Sequence, residues 1–467
     1  MKADILFTNG TIASDIAAFR GGIAVKDGKV TGVFEGQETV AAERVIDLRG
    51  KLLMPGLVDA HVHFHYVEPG EREWEGYATG SFAAAAGGVT TALDMPFDTS
   101  TSTINATLLA AKREAVKNLA VIDYGHWGSL QRDNLHELEA MHIAGVVGFK
   151  AFMCELDSIG VPTYELYKAG QQIAPWGNVL AVHAEDDNLV GGFTSDLRIA
   201  GRKDPRAFAQ SRPPIAEVEA AERATLIAVE TGVRLHIVHV TTSQAIETVH
   251  RRRSWGARIT AETCPHYLAL DEEDLVRMGP IAACTPPVRH RHQVDLLWQE
   301  VLAGRIDLIA SDHCPCLPEL KDIGADDIWQ ASVGIAGIQT MLPVLLTEGV
   351  QRRGLSMEAL VRMTSFNPAR LCGIYPKKGN LWTGADADLI IVDPEREWTL
   401  SKDMLLSRHP TNPFIGKVFK GAVERTYVRG NLVYSEGDIV GKPGYGQLVK
   451  RFSPTRPRAD GDRPLAP

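Results

Sequence analysis

Six side chains that can bind metals lie at the ends of short apolar runs in this chain of 467 residues. They are four histidines, a lysine and an aspartate: His61, His63, Lys150, His183, His239 and Asp312. Because side chains alternate along a strand, the spacing of two in His61-Val62-His63 places both imidazoles on one face. A single histidine is more often a packed core or surface residue than a ligand. The coincidence of six such groups at equivalent positions favours a shared metal site.

Neighbouring histidines provide an internal comparison. His236 lies three residues before His239, and His313 lies one residue after Asp312, so the alternation predicts that both point away from the ligands. Five others have no place in the set and are interpreted as structural or supporting residues: His65, His126, His266, His290 and His292.

Lys150 is an unusual metal ligand because an ammonium group repels cations. It becomes a suitable one if its amine reacts with carbon dioxide, since the resulting carbamate is anionic, offers two oxygens and can bridge two metals. Imidazoles and oxygens together suit Zn²⁺, with Mn²⁺, Co²⁺ or Fe²⁺ as alternatives. The residues therefore predict two divalent metal ions per chain and a carbamate on Lys150. Two such ions can activate water near neutral pH.

Eight short apolar runs alternate with amphipathic segments that are typical of helices. The runs are 57–64, 88–95, 121–127, 145–152, 179–185, 234–241, 258–264 and 306–312. Eight repeated βα units predict a (β/α)8 barrel, whose active site forms at the C-terminal ends of its strands. Glycines such as Gly145 and Gly232 precede strands, as a helix C-cap requires.

Strand-like runs flank the barrel on both sides. Those before it meet turns at Asn9-Gly10 and Asp27-Gly28. We expect the two ends of the chain to fold together, so that the fold class is α/β, a TIM barrel with a small β-sandwich. The predicted boundaries are 1–53 and 376–450 for the two parts of the sandwich, 54–375 for the barrel and 451–467 for a loosely ordered, proline-rich tail.

Composition argues against several classes of function. The formal net charge is −9 and no long basic run is present, so we expect no nucleic-acid partner; Arg251-Arg252-Arg253 is interpreted as a solvated helix end. No apolar stretch approaches the ~18 residues of a membrane span, and the N-terminus lacks a signal-peptide pattern. Six cysteines are too few for a disulfide scaffold in a chain of this length. We therefore expect a cytoplasmic protein without a membrane partner.

The chain resembles the cyclic amidohydrolases, a family of hydantoinases, dihydropyrimidinases, dihydroorotases and allantoinases. The resemblance covers nearly the whole chain and is carried by Pro55-Gly56-Leu57-Val58-Asp59-Ala60-His61-Val62-His63, Gly148-Phe149-Lys150, Val182-His183-Ala184-Glu185 and Ser311-Asp312-His313. Allantoinases are the most similar, through Trp74-Glu75-Gly76-Tyr77, Glu262-Thr263-Cys264-Pro265-His266-Tyr267 and Glu155, where D-type hydantoinases usually carry a tyrosine. Phe97, Asp98, Val333 and a longer segment between His63 and Trp74 depart from the allantoinase pattern.

The resemblance implies hydrolysis of a cyclic ureide, most closely allantoin to allantoate in purine catabolism. It implies one metal on His61, His63, Lys150 and Asp312, and another on the Lys150 carbamate, His183 and His239. It also implies that Asp312 moves the proton in catalysis, that backbone groups around Thr285 and Val333 bind the ring, and that the enzyme is a homo-oligomer, a dimer or tetramer. The alternatives are a hydantoinase or dihydropyrimidinase that hydrolyses another cyclic amide, a mononuclear deaminase, and a non-catalytic scaffold relative.

Overall fold

The structure is a computed structural model that describes residues 2–36, 40–65, 74–97, 102–154 and 159–452. Its first five elements are strands. These strands are β1 (Ala3–Ala13), β2 (Ala18–Lys26), β3 (Lys29–Glu35), β4 (Ala42–Asp47) and β5 (Leu52–Pro55). The turn predicted at Asp27-Gly28 is confirmed, since it joins β2 to β3 in an antiparallel hairpin.

The turn predicted at Asn9-Gly10 is wrong, because β1 continues through it. Asn9 adopts a φ of 56°, and the register with β2 shifts between Phe7 and Gly10. An extra residue of this kind bends a strand without reversing it. As a result, the first half of β1 pairs with β4 and its second half pairs with β5.

Eight parallel strands form the barrel, one in each of the eight predicted runs. The strands of this part of the chain are β6 (Leu57–Val62), β7 (Val89–Asp94), β8 (Asp123–His126), β9 (Gly128–Ser129), β10 (Gly148–Phe152), β11 (Val179–His183), β12 (Arg234–Ile237), β13 (Ile259–Thr263) and β14 (Leu308–Ile309), where β9 is a short continuation of β8. Hydrogen bonds from His63 N to His313 O (2.8 Å) and from Val147 N to His126 O (3.0 Å) join the three-stranded and six-stranded segments. These bonds close the barrel, so the predicted (β/α)8 architecture is confirmed.

Helices connect the strands. They are α1 (Tyr77–Ala86), α2 (Ala106–Val116), α3 (Leu138–Ala144), α4 (Thr163–Trp176), α5 (Asp187–Ile199), α6 (Pro205–Ser211), α7 (Pro214–Thr231), α8 (Ser243–Arg253), α9 (Pro265–Ala269), α10 (Glu272–Met278), α11 (Arg291–Leu302), α12 (Pro318–Asp322), α13 (Met341–Val344), α14 (Met357–Val361) and α15 (Asn367–Leu371). The side chains of Asn105, Asp186 and Thr242 each accept a backbone N–H three residues later, which caps α2, α5 and α8. Gly145 and Gly232 end α3 and α7 in the left-handed conformation, as predicted. Within the described ranges, no helix is long and apolar enough to cross a membrane.

The last four strands complete the sheet that the first five begin. They are β15 (Leu389–Thr399), β16 (Val418–Val428), β17 (Asn431–Ser435) and β18 (Asp438–Ile439). β5 pairs with β1 on one edge and with β15 on the other, which gives the order β18-β17-β16-β15-β5-β1-β2-β3, with β4 on β1. The rings of Phe7 in β1 and Tyr427 in β16 lie 5.1 Å apart although these strands are not neighbours. The sheet therefore folds over its own apolar core as a sandwich, as predicted from the two chain ends.

A buried lysine joins the barrel to the sandwich. Lys378 Nζ lies 2.8 Å from Asp386 Oδ2 and 2.8 Å from Asp388 Oδ2, and it also donates to Asp123, the first residue of β8. Arg429, between β16 and β17, donates to the same Asp123 carboxylate. Burial acts to lower the pKa of Lys378, but the three carboxylates outweigh it and the pKa is raised. Since a buried charge is stable only when paired, this cluster holds the two parts of the fold together.

Candidate metal centre

The six predicted ligands converge at the C-terminal ends of the barrel strands. They lie in, or within three residues after, β6, β10, β11, β12 and β14: His61, His63, Lys150, His183, His239 and Asp312. The histidines and the lysine are at most 5 % exposed, and the side chain of Asp312 is 12 % exposed. The register of the parallel strands therefore brings together residues that are as much as 251 positions apart in sequence, since His61 Nε2 lies beside Asp312.

The first half of the site consists of His61, His63 and Asp312. His61 Nε2 lies 3.2 Å from His63 Nε2, and Asp312 Oδ1 lies 3.2 Å and 3.3 Å from these two nitrogens. Three donor atoms thus face one point. Burial acts to raise the pKa of the Asp312 carboxyl, but the imidazoles of His61, His63 and His239 hold it well below its usual range. Asp312 is therefore an anion at neutral pH, and this half of the site can hold a divalent cation.

The second half of the site consists of His183 and His239. His183 Nδ1 lies 2.9 Å from His239 Nε2. The other nitrogen of His239, Nδ1, has no hydrogen-bond partner among the described residues. Burial lowers the pKa values of both imidazoles, so both are neutral at neutral pH, which is the form that binds metals.

Lys150 is close enough to both halves to act electrostatically on His61 and on His183. It is 1 % exposed, and its Nζ has no hydrogen-bond partner in the part of the chain that the structure describes. Burial lowers the pKa of its ammonium to about 8, although Asp312 and Glu262 act in the opposite direction. An unpartnered buried amine of this kind carries an appreciable neutral fraction near pH 8, and the neutral amine is the form that reacts with carbon dioxide. The residues present therefore fit a carbamate and two cations.

A buried carboxylate orients the first half. Glu262, in β13, lies with Oε1 2.6 Å from His61 Nδ1 and with Oε2 3.0 Å from His236 Nε2. His236 Nδ1 is in turn 2.9 Å from Thr260 Oγ1. Burial acts to raise the pKa of Glu262, but the two imidazoles lower it to about 2. The ionised carboxylate accepts the His61 Nδ1 proton, which leaves the Nε2 lone pair directed at Asp312 and His63.

A second carboxylate orients the other half. Glu185 Oε2 lies 2.8 Å from His183 Nε2 and also accepts a hydrogen bond from Arg212. Burial acts to raise the pKa of Glu185, but Arg212 and His183 lower it to about 2. This contact fixes the proton of His183 on Nε2 and leaves Nδ1 to face His239. In each half, a glutamate thus contacts the ring nitrogen of one histidine that faces away from the site.

Two of the six residues have strained backbones. His239 adopts a φ of 41° and Asp312 a φ of 47°. The left-handed region costs a non-glycine residue about 1–3 kcal/mol and is tolerated mainly where surrounding structure or function requires it. Both residues follow the ends of their strands, so this conformation redirects their side chains toward the site.

The alternation of side chains predicts that His236 and His313 point away from the ligand groups. The structure agrees with this prediction only in part. Neither contributes to the donor atoms that converge. The Nε2 atom of His236 nevertheless contacts Glu262, the carboxylate that also contacts His61. His236 therefore supports His61 indirectly. Of the others, His65 lies with its ring 5.6 Å from that of His63. His266 has one ring nitrogen within 4.8 Å of an Asp312 carboxylate oxygen.

The residues expected to bind the ring lie on the loops that follow β13 and β14. Thr285 and Val333 are both half-buried. The loops contact each other through a hydrogen bond from Gly334 N to Ala283 O of 2.9 Å, and Ile335 O accepts one from Cys314 N of 3.0 Å. Both loops therefore lie beside Asp312.

Aromatic side chains pack next to the first half of the site. The ring of Phe97 lies 5.7 Å from His63 and 5.9 Å from Phe152, and Trp74 lies 4.4 Å from His65. Phe97, one of the departures from the allantoinase pattern, thus faces the site. Asp98, Glu155 and the segment between His65 and Trp74 lie outside the described residues.

Sequence reasoning gave no individual role to Glu262, Glu185 or Arg212. A signal was present for Glu262: β13 lies between β12 and β14, which both supply ligands, and although it supplies none itself it carries this acidic residue near its C-terminal end. Arg212 lies in a helical region with no motif, and only the fold brings it to Glu185.

Comparison with known proteins identifies the family of this chain. The sequence model of the amidohydrolase family matches residues 52–433. Allantoinases from Solibacter usitatus and Rubrobacter xylanophilus are 39 % and 40 % identical over 452 and 458 residues, which is 96 % of this chain in both cases and 95 % and 97 % of the relatives. An allantoinase from Escherichia coli is 34 % identical over 441 residues, 93 % of this chain and 96 % of that protein.

Solved structures of related enzymes have the same fold. The L-hydantoinase (dihydropyrimidinase) from Arthrobacter aurescens is 36 % identical with a TM-score of 0.93, and the match covers 96 % of this chain and all of that one. The dihydropyrimidinase from Brevibacillus agri is 30 % identical with a TM-score of 0.89, over 97 % and 99 % of the two chains. By its sequence, its barrel and the residues gathered at the strand ends, the chain belongs to the amidohydrolase family.

Proposed function

We propose that this protein hydrolyses a ring amide bond of a cyclic ureide, with allantoin as substrate and allantoate as product. The observation that carries the reaction type is the buried amine of Lys150, which has no hydrogen-bond partner among the described residues and lies near two groups of converging donor atoms. The substrate is proposed because the curated relatives described above, 34–40 % identical over nearly the whole chain, are named allantoinases.

In this proposal the site holds two divalent ions, with zinc as the expected metal and manganese, cobalt or iron as alternatives. His61, His63, Asp312 and the Lys150 carbamate would hold one ion, and the carbamate, His183 and His239 the other. Bound ions of this kind lower the pKa of water and stabilise negative charge on a carbonyl oxygen.

The remaining work falls to the side chains of the protein. Asp312, held as an anion by three imidazoles, would take a proton from the attacking water on a carboxylate oxygen and deliver it to the ring nitrogen that leaves. Backbone groups around Thr285 and Val333 would orient the ring. Phe97 would exclude water from one side of it.

A second candidate is hydrolysis of a different cyclic amide, as in a hydantoinase or dihydropyrimidinase. It is favoured by the position of Phe97 against His63, since a residue that departs from the allantoinase pattern contacts the site. A mononuclear deaminase would need no carbamate and would leave the buried Lys150 amine without a role, and a scaffold protein would have no use for six intact ligands. We also expect a cytoplasmic homo-oligomer, a dimer or tetramer, which size-exclusion chromatography with light scattering would measure.

The test is to incubate metal-loaded protein with allantoin, hydantoin, dihydrouracil and dihydroorotate and to follow ring opening for each. Rapid turnover of allantoin alone is the expected result. Turnover of another ring alone would refute allantoin as substrate and favour the second candidate. Metal content of two ions per chain without turnover of any ring would refute the whole group of substrates and leave only the metal centre.

A further inference from the structure

Lys321, in α12, is a second buried lysine without an acidic partner in the part of the chain that the structure describes. It is 2 % exposed, and its hydrogen bonds go to backbone carbonyls only. Its Nζ donates to two backbone carbonyls, Pro280 O at 3.0 Å and Ser332 O at 3.3 Å. Lysine is rarely buried, because its ammonium loses its hydration and must be compensated by other groups. A buried lysine at this point therefore requires an explanation.

The two carbonyls belong to the two loops that are proposed to bind the ring. Pro280 lies in the turn Gly279–Ala282, which leads into Thr285 on the loop after β13. Ser332 immediately precedes Val333 on the loop after β14. Lys321 is thus hydrogen-bonded to both loops at once, and its own backbone belongs to α12, a short helix within the segment that joins β14 to Ser332.

Further contacts fix the same region. Gly334 N donates to Ala283 O at 2.9 Å and so joins the two loops, while Cys316 Sγ donates to Val333 O at 3.3 Å within the segment after β14. A side chain at position 334 would collide with Cys314, since an added Cβ would lie 2.3 Å from its carbonyl oxygen. The loops therefore meet at close range, where a small displacement of one changes the distance between their backbone groups.

We propose that Lys321 is a positioning residue for the substrate: it sets the spacing between the loop that carries Thr285 and the loop that carries Val333. The inference rests on the proposed function in one respect, namely that these two loops contact the ring. Lys321 does not touch any of the six ligand side chains. Its effect is therefore expected on the binding of the ring rather than on the metals or on proton transfer.

The central experiment replaces the ammonium with an apolar group of similar length, Lys321→Met. For whichever ring the wild-type enzyme opens, we expect KM to rise about tenfold, the loss typical of one or two hydrogen bonds to a charged group, with kcat changed by less than about threefold. Metal content, measured by mass spectrometry, should stay at the wild-type value. Lys321→Arg, which keeps the charge and several donors, should restore much of the affinity.

Hydrogen–deuterium exchange tests whether Lys321 fixes the two loops, and it needs no substrate. Peptides that cover 280–285 and 332–335 should exchange faster in Lys321→Met, with the Gly334 amide among the affected groups. Lys417→Met is the control for the same chemical change elsewhere: Lys417 is partly buried, with its side chain 25 % exposed, and pairs with Glu348 at 2.8 Å. That variant should leave both KM and exchange in these two loops unchanged.

A gentler variant covers the case in which Lys321→Met does not fold. Cys316→Ala removes the thiol contact to Val333 O and should raise KM by a smaller factor than Lys321→Met does. Cys316→Ser should retain the contact to Val333 O and leave KM close to the wild-type value. Faster exchange in both loops with an unchanged KM would overturn the proposal, because Lys321 would then be structural only. Unchanged exchange would overturn it as well. Failure of every ring substrate would instead refute the proposed function, since the exchange result stands independently.

Discussion

Glu262 offers the sharpest test of how the first half of the site is built. The change Glu262→Gln keeps the size of the side chain and removes its charge. The amide oxygen can still accept the proton of His61 Nδ1, but the contact at 2.6 Å loses its ionic character, and the amide nitrogen faces His236. Hydrogen bonds to charged groups contribute about 1.5–3 kcal/mol and neutral ones about 0.5–1.5 kcal/mol. Carboxylates that support a metal-binding histidine typically change metal affinity by about 10–100-fold.

We therefore expect one of two metal equivalents to be lost at roughly 10–100-fold lower chelator concentration, because Glu262 contacts only the half that contains His61. The assay is titration of zinc-loaded protein with a chromogenic chelator, with the metal per chain measured in parallel. Glu348→Gln is the control, since Glu348 is 5 % exposed and paired with Lys417, in a cluster that includes none of the six ligands. A displacement curve identical to that of the wild type, in a variant that is folded, would refute the reasoning.

The same carboxyl has a pH signature in metal-free protein. Its pKa is about 4.3 in an unfolded chain and about 2 in the fold, where burial is outweighed by His61 and His236. A carboxyl with a depressed pKa stabilises the fold fully above the unfolded value and loses that contribution as pH falls through the folded value. Urea unfolding should therefore show a steeper loss of stability between pH 4.3 and 2 in the wild type than in Glu262→Gln. Equal slopes would contradict the shift.

Three other changes have expected outcomes. Asp312→Asn should lower kcat by at least about 10²-fold while metal content, measured by mass spectrometry, stays close to that of the wild type; substantial turnover would exclude its role in proton transfer. Metal-free wild-type protein should regain more zinc when bicarbonate is added, and Lys150→Met should show no such response; a wild type indifferent to bicarbonate would argue against the carbamate. Lys378→Met removes the lysine partner of the carboxylates of Asp123, Asp386 and Asp388, and it should lower the free energy of unfolding by about 3–5 kcal/mol, as measured in urea. A change below about 1 kcal/mol would mean that the cluster does not hold the fold together.

The barrel and the positions of the six candidate ligands were predictable because their signals are local and repeated. Each strand is a short apolar run, and glycines at φ 83° and 70° end α3 and α7. Parallel strands in a barrel place their C-terminal ends at one level, so a reactive residue at each end is expected at one site. His61 and His63 needed only the period of two.

The supporting contacts were not predictable because they join residues that are distant in sequence. His61 and Glu262 are 201 positions apart, and Lys321 and Pro280 are 41 apart. Which nitrogen of each imidazole faces the candidate metal site depends on these partners. At Asn9-Gly10, the same pair of residues suits a hairpin turn and a bulge within a strand, and only the competition of β4 and β5 for β1 decides between them.

The pairing of β5 with both β1 and β15 has a consequence for how the protein is made. During synthesis the first five strands leave the ribosome early, but β15, which covers one edge of β5, follows only after the entire barrel. Until then an apolar strand edge stays open, and such edges recruit other chains. A chain cut after the barrel would keep all six ligand residues and still leave that edge exposed. The sandwich strands that follow the barrel therefore protect the strands that precede it from aggregation.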